Sequence, residues 1–281
     1  MKRLLLLCAM SFCGMFCATY LSSATVTAAV PQRIASLNLC TDQLLLMLVP
    51  RGRIVSVSDW AAKPESSYMA AAAQGIPTNH GLAEGALAHD PDLILAGEYT
   101  DIAMVNLLRR LGYRVEVVKV PRDLDEMRAH ILHVGALVGE SAAAQRMLAS
   151  MEIRMHAIAA HTSTGPRGLA AAYAPNGLTV GRGAVLAQII ERAGWRNLGS
   201  ELGIAGYGQI SLEQLLVAQP QLLVLDVTAD SSGGSIAHGY LEHPALRSLA
   251  QSARLVIMPP HLSECVGPMT IDAIELLVAQ R

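Results

Sequence analysis

The chain has 281 residues, 52% hydrophobic and 16% charged, and its 21 Lys+Arg against 23 Asp+Glu give a formal net charge of −2. This composition belongs neither to a disordered segment nor to a basic nucleic-acid binder, so no nucleic-acid partner is expected. A chain this long holds one large domain or two smaller ones, each able to bury its own core without disulfide staples.

Residues 1–28 read as a secretory signal. Lys2 and Arg3 form a basic start, residues 4–16 an apolar run, and Val26-Thr27-Ala28 offers small residues for cleavage. The run is shorter than the ~20 residues of a spanning helix. Leu7, Phe12 and Phe16 are too bulky to precede a lipidated Cys8, Cys13 or Cys17. The expected mature chain is therefore exported and soluble, with a charge of about −4 once Lys2 and Arg3 have left. Of five Cys it keeps Cys40 and Cys265, which in an oxidising compartment could pair or remain as thiols.

After the signal, short Val/Ile/Leu-rich runs alternate with helical stretches, the pattern of parallel strands joined by crossover helices. Strands are expected at 33–37, 53–57, 92–96 and 114–118, then at 168–173, 221–226 and 254–258. The runs are continuous rather than alternating, as in strands covered on both faces. Between the two sets, residues 140–161 contain no Gly or Pro and place Met147, Met151, Met155 and Ile158 on one helical face. This stretch predicts one helix of about 33 Å at 1.5 Å per residue. Turn and breaker residues at 162–166 stop it.

An internal echo flanks that helix. Residues 82–95 match 211–224, with Glu84 and Glu213 each seven residues ahead of a Pro, Pro91 and Pro220. Each copy predicts a short helix with an acidic first turn, a Pro stop and a buried strand.

The signal, the opening Arg33-Ile34-Ala35-Ser36-Leu37, the paired Glu-x6-Pro phrases and the long mid-chain helix together resemble the class III periplasmic binding proteins, over roughly residues 31–280. These are the iron-siderophore and cobalamin receptors of ATP-driven importers. The resemblance implies an α/β fold of two Rossmann-like lobes with mostly parallel sheets. The lobes would occupy 29–139 and 162–281, bridged by a backbone helix at 140–161. It further implies a periplasmic monomer without cofactor or catalysis, which captures a small-molecule metal chelate between the lobes and closes only modestly. The expected chelates are a ferric siderophore or cobalamin, then heme. Glu84 and Glu213 occupy the positions of the family's surface glutamates, one per subunit of the permease dimer. Exposed carboxylates on matched lobes would orient and steer docking more than add affinity; alternatively each merely complements its helix N-terminus.

In open parallel sheets ligands collect beyond the carboxyl ends of the strands. The candidate lining segments are 38–40, 58–60, 97–99, 174–182, 227–238 and 259–267. They carry the candidate ligand contacts Trp60, Tyr99, Arg182, His238 and His261, a mixture suited to a bulky, partly polar ligand. Cys40 and Cys265 fall on such loops too, one per half. They could form a disulfide across the cleft, contact a metal-bearing ligand, or stay unconnected and buried.

No Gly-x-Ser-x-Gly, Cys-x-x-Cys, His-Glu-x-x-His or phosphate-loop motif is present. The Gly-rich stretches 181–183 and 203–208 are incomplete as dinucleotide fingerprints and are expected to be flexible loops. His130 and His133 are expected as a solvated helical pair, and no bound metal ion is assigned. A bare metal-ion receptor or an exported hydrolase of unknown substrate are the competing functions.

Overall fold

The computed structural model describes residues 29–165, 167–226 and 243–281. The expected signal at 1–28 and the segment 227–238, His238 included, lie outside the described residues. The first four apolar runs become β1 (Ile34–Ser36), β2 (Ile54–Ser56), β3 (Leu93–Gly97) and β4 (Val115–Val118), a parallel sheet of order β2-β1-β3-β4. Between them run α1 (Leu39–Leu48), α2 (Ala70–Ala73), α3 (Ala83–Leu87) and α4 (Ile102–Arg110), and after them α5 (Leu124–Leu137). All of β3 is buried, with Leu93 and Leu95 in one apolar cluster and Ile94 and Ala96 in another. Helices on both faces therefore cover this sheet, which is why its strands are continuous apolar runs.

The long helix, α6, spans Ser141–Thr162. Beyond it, β5 (Leu169–Tyr173), β7 (Arg196–Asn197), β9 (Leu222–Asp226) and β10 (Arg254–Met258) form a second parallel sheet of order β10-β9-β5-β7. Three strands went unread in the sequence: two-residue β7, and β6 (Leu178–Val180) with β8 (Tyr207–Gln209), which pair antiparallel. The helices of this half are α7 (Val185–Arg192), α8 (Leu198–Glu201), α9 (Leu212–Ala218), α10 (Pro244–Ser252), α11 (Pro260–Ser263) and α12 (Met269–Val278).

The Gly-rich stretches correct the expectation of flexible loops, because they extend the β6–β8 pair. Gly181 N–H donates to the Gly206 carbonyl at 2.8 Å and Arg182 N–H to the Ile204 carbonyl at 2.9 Å. A Cβ on Gly181 would stand 2.1 Å from the Ile204 oxygen, so glycine here permits close backbone approach. The echo is structural as well. Asp90 and Gln219, the residues before the two prolines, both adopt left-handed backbone with φ of 46°, and each turns a short helix into a buried strand through a buried proline.

One apolar cluster runs without interruption from the first sheet to the second. It joins Ile34 and Leu93, Ile131 and Val134 of α5, Leu148, Met151 and Ile158 of α6, Ile189 and Ile190 of α7, Ile271 and Ile274 of α12, and Leu222 of β9. Met147 and Met155 pack against it, half-buried. Polar ties cross the same seam. Arg154 of α6 pairs with Asp272 and, at 2.7 Å, with Glu275 of α12, while Asp272 also accepts the hydroxyl of Tyr68. Within the first half, Arg53 pairs with Glu140 at the start of α6 at 2.6 Å and donates to the Pro31 and Val138 carbonyls. The helical pair His130/His133 is only half solvated: His133 is exposed, whereas His130 is partly buried at the edge of a cavity that it shares with residues 119–121. Burial, then the neighbouring His133, lowers the His130 pKa to about 4.

A covalent tie completes the junction, since Cys40 of α1 is bonded to Cys265, 225 positions further along the chain, with Cα atoms 5.4 Å apart. A cross-link over so long a stretch restricts the unfolded chain strongly, by about 2–5 kcal/mol in comparable cases. The double variant Cys40→Ser/Cys265→Ser is expected to lose stability of about that size in denaturant unfolding. An unchanged midpoint with an unchanged slope would contradict this.

Candidate ligand-binding cleft

The carboxyl ends of β1, β2 and β3 meet at one edge, where the chain turns into helices. After β1, Asn38 caps α1, its side chain accepting Cys40 N–H at 3.0 Å, and so places the disulfide at this edge. After β2, Val57 bridges to Thr78, which brings Asn79 beneath both strand ends. The buried Asn79 amide donates to the Ser36 carbonyl at 2.8 Å and to Ser56 Oγ at 3.0 Å, while its oxygen accepts Gly81 N–H at 3.0 Å. Ser58 then opens a short helical turn, Asp59–Ala62, that presents Trp60.

Above this floor lies a cavity of about 390 Å3 lined by Asn38, Ser58, Asp59, Trp60 and His80, with Glu264 entering from the second half of the chain beside Cys265. A neighbouring cavity of about 700 Å3 shares Leu37, Asn38 and Gly81 with the first and continues past Tyr99 and Glu84 to Arg110. Together they make a trough along the carboxyl edge of the first sheet.

The trough is aromatic and polar at its walls. Trp60 is 52% exposed, with Lys63 Nζ 3.8 Å from its ring centroid, so one ring face is occupied by a cation. His80 Nδ1 lies 2.7 Å from Asp59 Oδ2, and His80 is held at φ 55°, a left-handed conformation uncommon outside glycine. Tyr99 is 85% exposed, and its hydrogen bond to Glu98 raises its pKa. The floor is buried and polar: Ser36 Oγ lies 2.8 Å from Thr41 Oγ1, and the Asp42 carboxylate accepts both the N–H and the hydroxyl of Ser58. Asp42 is fully buried, and that burial pushes its pKa up to about 7 against the opposing hydrogen bonds from Ser36 and Ser58.

The other sequence-derived candidates are dispersed. Arg182 is exposed beside the β6–β8 pair and lines neither cavity; among the described residues its guanidinium has no ion pair. His261 sits half-buried on α11, also outside both linings. Cys40 and Cys265 are bonded to each other, which removes free thiol contact with a ligand. Glu84 and Glu213 are exposed in the first turns of α3 and α9, and neither makes an ion pair among the described residues. The Ser211 hydroxyl and the Glu213 backbone N–H lower the Glu213 pKa. Sequence reading missed His80, Asn79 and Asp42; the turn signal Asn79-His80-Gly81 was available for the first two. Among the described residues no cluster of three or more His, Cys, Asp or Glu could hold a metal ion.

Two parallel sheets joined by one long helix, with a trough at the strand ends, make the fold of the class III periplasmic binding proteins. The chain belongs to the periplasmic binding protein family, whose model matches residues 34–250. A cobalamin-binding protein of Halobacterium salinarum (strain R1) is 27% identical over 213 residues, 74% of this chain. The chain spans 58% of the length of that curated relative. The periplasmic heme-binding protein RhuT from Roseiflexus sp. RS-1 superposes with a TM-score of 0.71 at 22% identity, covering 89% of this chain and 97% of that one. A periplasmic heme-binding protein from Pseudomonas aeruginosa gives 0.71 at 24% identity, covering 89% and 92%. The vitamin B12-binding protein BtuF of Vibrio cholerae gives 0.63 at 19%, covering 89% and 96%. At these identities the structural matches establish the shared fold.

The two tryptophans differ sharply in access, because Trp195 is 5% exposed and donates its indole N–H to the Leu277 carbonyl at 3.0 Å. Acrylamide is therefore expected to quench one of two emitting populations, and Trp60→Phe should remove the quenchable one. Equal quenching of both residues would contradict the placement of Trp60 in the open trough.

Proposed function

We propose that this protein is a periplasmic receptor that captures a metal chelate in the trough and delivers it to the permease of an ATP-driven importer. A flat macrocyclic chelate, cobalamin or heme, suits the site better than a ferric siderophore. The observation that carries this reading is that two exposed aromatic rings, Trp60 and Tyr99, line adjoining cavities at the strand ends of a binding-protein fold. Aromatic faces pack flat organic surfaces, and the nearby Lys63, Asp59, His80 and Glu264 can fix the polar edges of such a ligand. Because Lys63 covers one face of Trp60, the ligand stacks on the other face or displaces the ammonium, which then pairs with its carboxylate or phosphate. The relatives support the ligand class, since one is a cobalamin-binding protein and several of the fold's neighbours bind heme or vitamin B12.

No covalent chemistry is needed: the receptor binds, orients and releases. Arg182, His261 and His238 remain candidate contacts from the second lobe. Glu84 and Glu213 are the docking carboxylates of a monomeric receptor on a permease dimer, supported by their exposure at equivalent places in the repeated helix–turn–strand unit. Glu84 also borders the outer cavity, so its two conceivable roles have to be separated by experiment.

Titration with cyanocobalamin and hemin, together with uptake assays in the reconstituted importer, separates them. Trp60→Ala should weaken binding of the chelate that is bound by about tenfold or more. Glu84→Ala and Glu213→Ala should leave affinity nearly intact while sharply reducing uptake. Loss of ligand binding by a folded Glu variant would overturn the docking assignment, and unchanged affinity of Trp60→Ala would remove Trp60 from the site.

A further inference from the structure

Beneath the trough lies a fully buried carboxyl group with no role in the binding scheme above. Asp42 sits in the first turn of α1, between the polar Thr41 and Gln43 and ahead of the apolar run 44–48, two residues from the disulfide. Both its oxygens receive Ser58 N–H, at 3.3 and 3.2 Å, and one also receives the Ser58 hydroxyl. Ser58 is the residue from which the Asp59–Ala62 turn starts, and Trp60 is the exposed aromatic of that turn. The carboxylate therefore grips the root of the turn that carries the ligand-stacking ring.

We propose that Asp42 is a positioning residue of the cleft: its carboxylate anchors the Ser58–Trp60 turn, and loss or gain of its proton changes how Trp60 is presented to the trough. The proposal rests on the reading of that trough as the ligand site. The charged groups on the surrounding elements are Asp59, paired with His80; Lys63 over Trp60; and Glu264, facing from the loop before α12. Further off, Tyr68 links Gln43 to the Asp272–Arg154–Glu275 group. None of these forms an ion pair with Asp42 among the described residues. A buried carboxyl without a cation keeps its proton well above the usual carboxylate range, and here burial pushes the pKa up to about 7.

The direction follows from the hydrogen bonds. The ionised form offers only acceptors, all directed at Ser58 and Ser36, and holds the turn tightly. The neutral form must turn one oxygen into a donor, gives up part of that grip and frees the turn. Trp60 is thus fixed above pH 7 and loosened below it.

The test needs no assumed ligand. Acrylamide quenching of Trp60 in the free full-length chain is followed from about pH 5 to pH 9, a window above the His130 titration. The wild type should show a transition centred near pH 7, Asp42→Asn should show none, and His80→Gln should keep it. A transition that survives in Asp42→Asn and vanishes in His80→Gln would overturn the proposal in favour of the Asp59–His80 pair. Should Asp42→Asn fail to fold, Ser58→Ala serves instead. It removes a donor to the ionised form, so its midpoint should move upward, and an unmoved midpoint would contradict the proposal. Affinity for hemin or cyanocobalamin, whichever binds, should fall several-fold below the same midpoint. If the transition is present but neither probe binds, the positioning role stands and the macrocyclic-chelate reading fails.

Discussion

Burial of the α6 stripe against α5, α7 and α12, helices drawn from both halves, is the constraint on which the rest of the molecule depends. Leu148, Met151 and Ile158 contact a cluster that includes side chains of both sheets, so neither half can move away without exposing the seam. Each such side chain stabilises by about 1.5–3 kcal/mol when buried, and several together approach the whole stability of a typical domain. The Arg154 ion pairs on the same seam are partly exposed and contribute about 1 kcal/mol or less each. Packing therefore sets the relation of the sheets, the ion pairs fix its register, and the Cys40–Cys265 bond closes the end nearest the trough.

That arrangement divides the cleft into a rigid floor and adaptable walls. The floor is polar yet buried, with Ser36, Thr41, Asp42, Ser56, Ser58 and Asn79 all under 3% exposed. Buried polar groups are costly unless paired, so this network holds one arrangement of the strand ends and resists others. The walls carry Trp60 and Tyr99, aromatic rings left exposed at the cavity edges. A floor fixed in this way is preorganised, so little ordering of its polar groups would be left to a ligand bound above it.

The sequence revealed the architecture better than the site. Strands buried on both faces read as unbroken Val/Ile/Leu runs, and the helix at 141–162 is long and free of breakers, so periodicity suffices for both. The β6–β8 pair escaped because each strand is three residues long and leads into glycines whose service is close backbone approach, which resembles loop composition. Topology placed Arg182 and His261 on loops after strands, but it carries no information about which way a loop turns. Asp42 was invisible for a different reason: beside Thr41 and Gln43 at the start of a helix an Asp reads as an ordinary first-turn acid, and only tertiary packing puts Ser58 against it. His130 shows the converse, since helical spacing cannot foresee the tertiary packing that partly buries it.

The central claim is that the trough is a receptor site for a metal chelate, and the protein's own cargo tests it most directly. The chain would be expressed with residues 1–28 in cells supplied with cobalamin, heme and a ferric hydroxamate, then purified from the periplasm. Its visible absorption spectrum and the mass of the released ligand would be recorded. The account predicts a corrinoid or heme signature at a near-equal molar ratio to protein. A colourless protein that also binds none of these chelates in solution would contradict it.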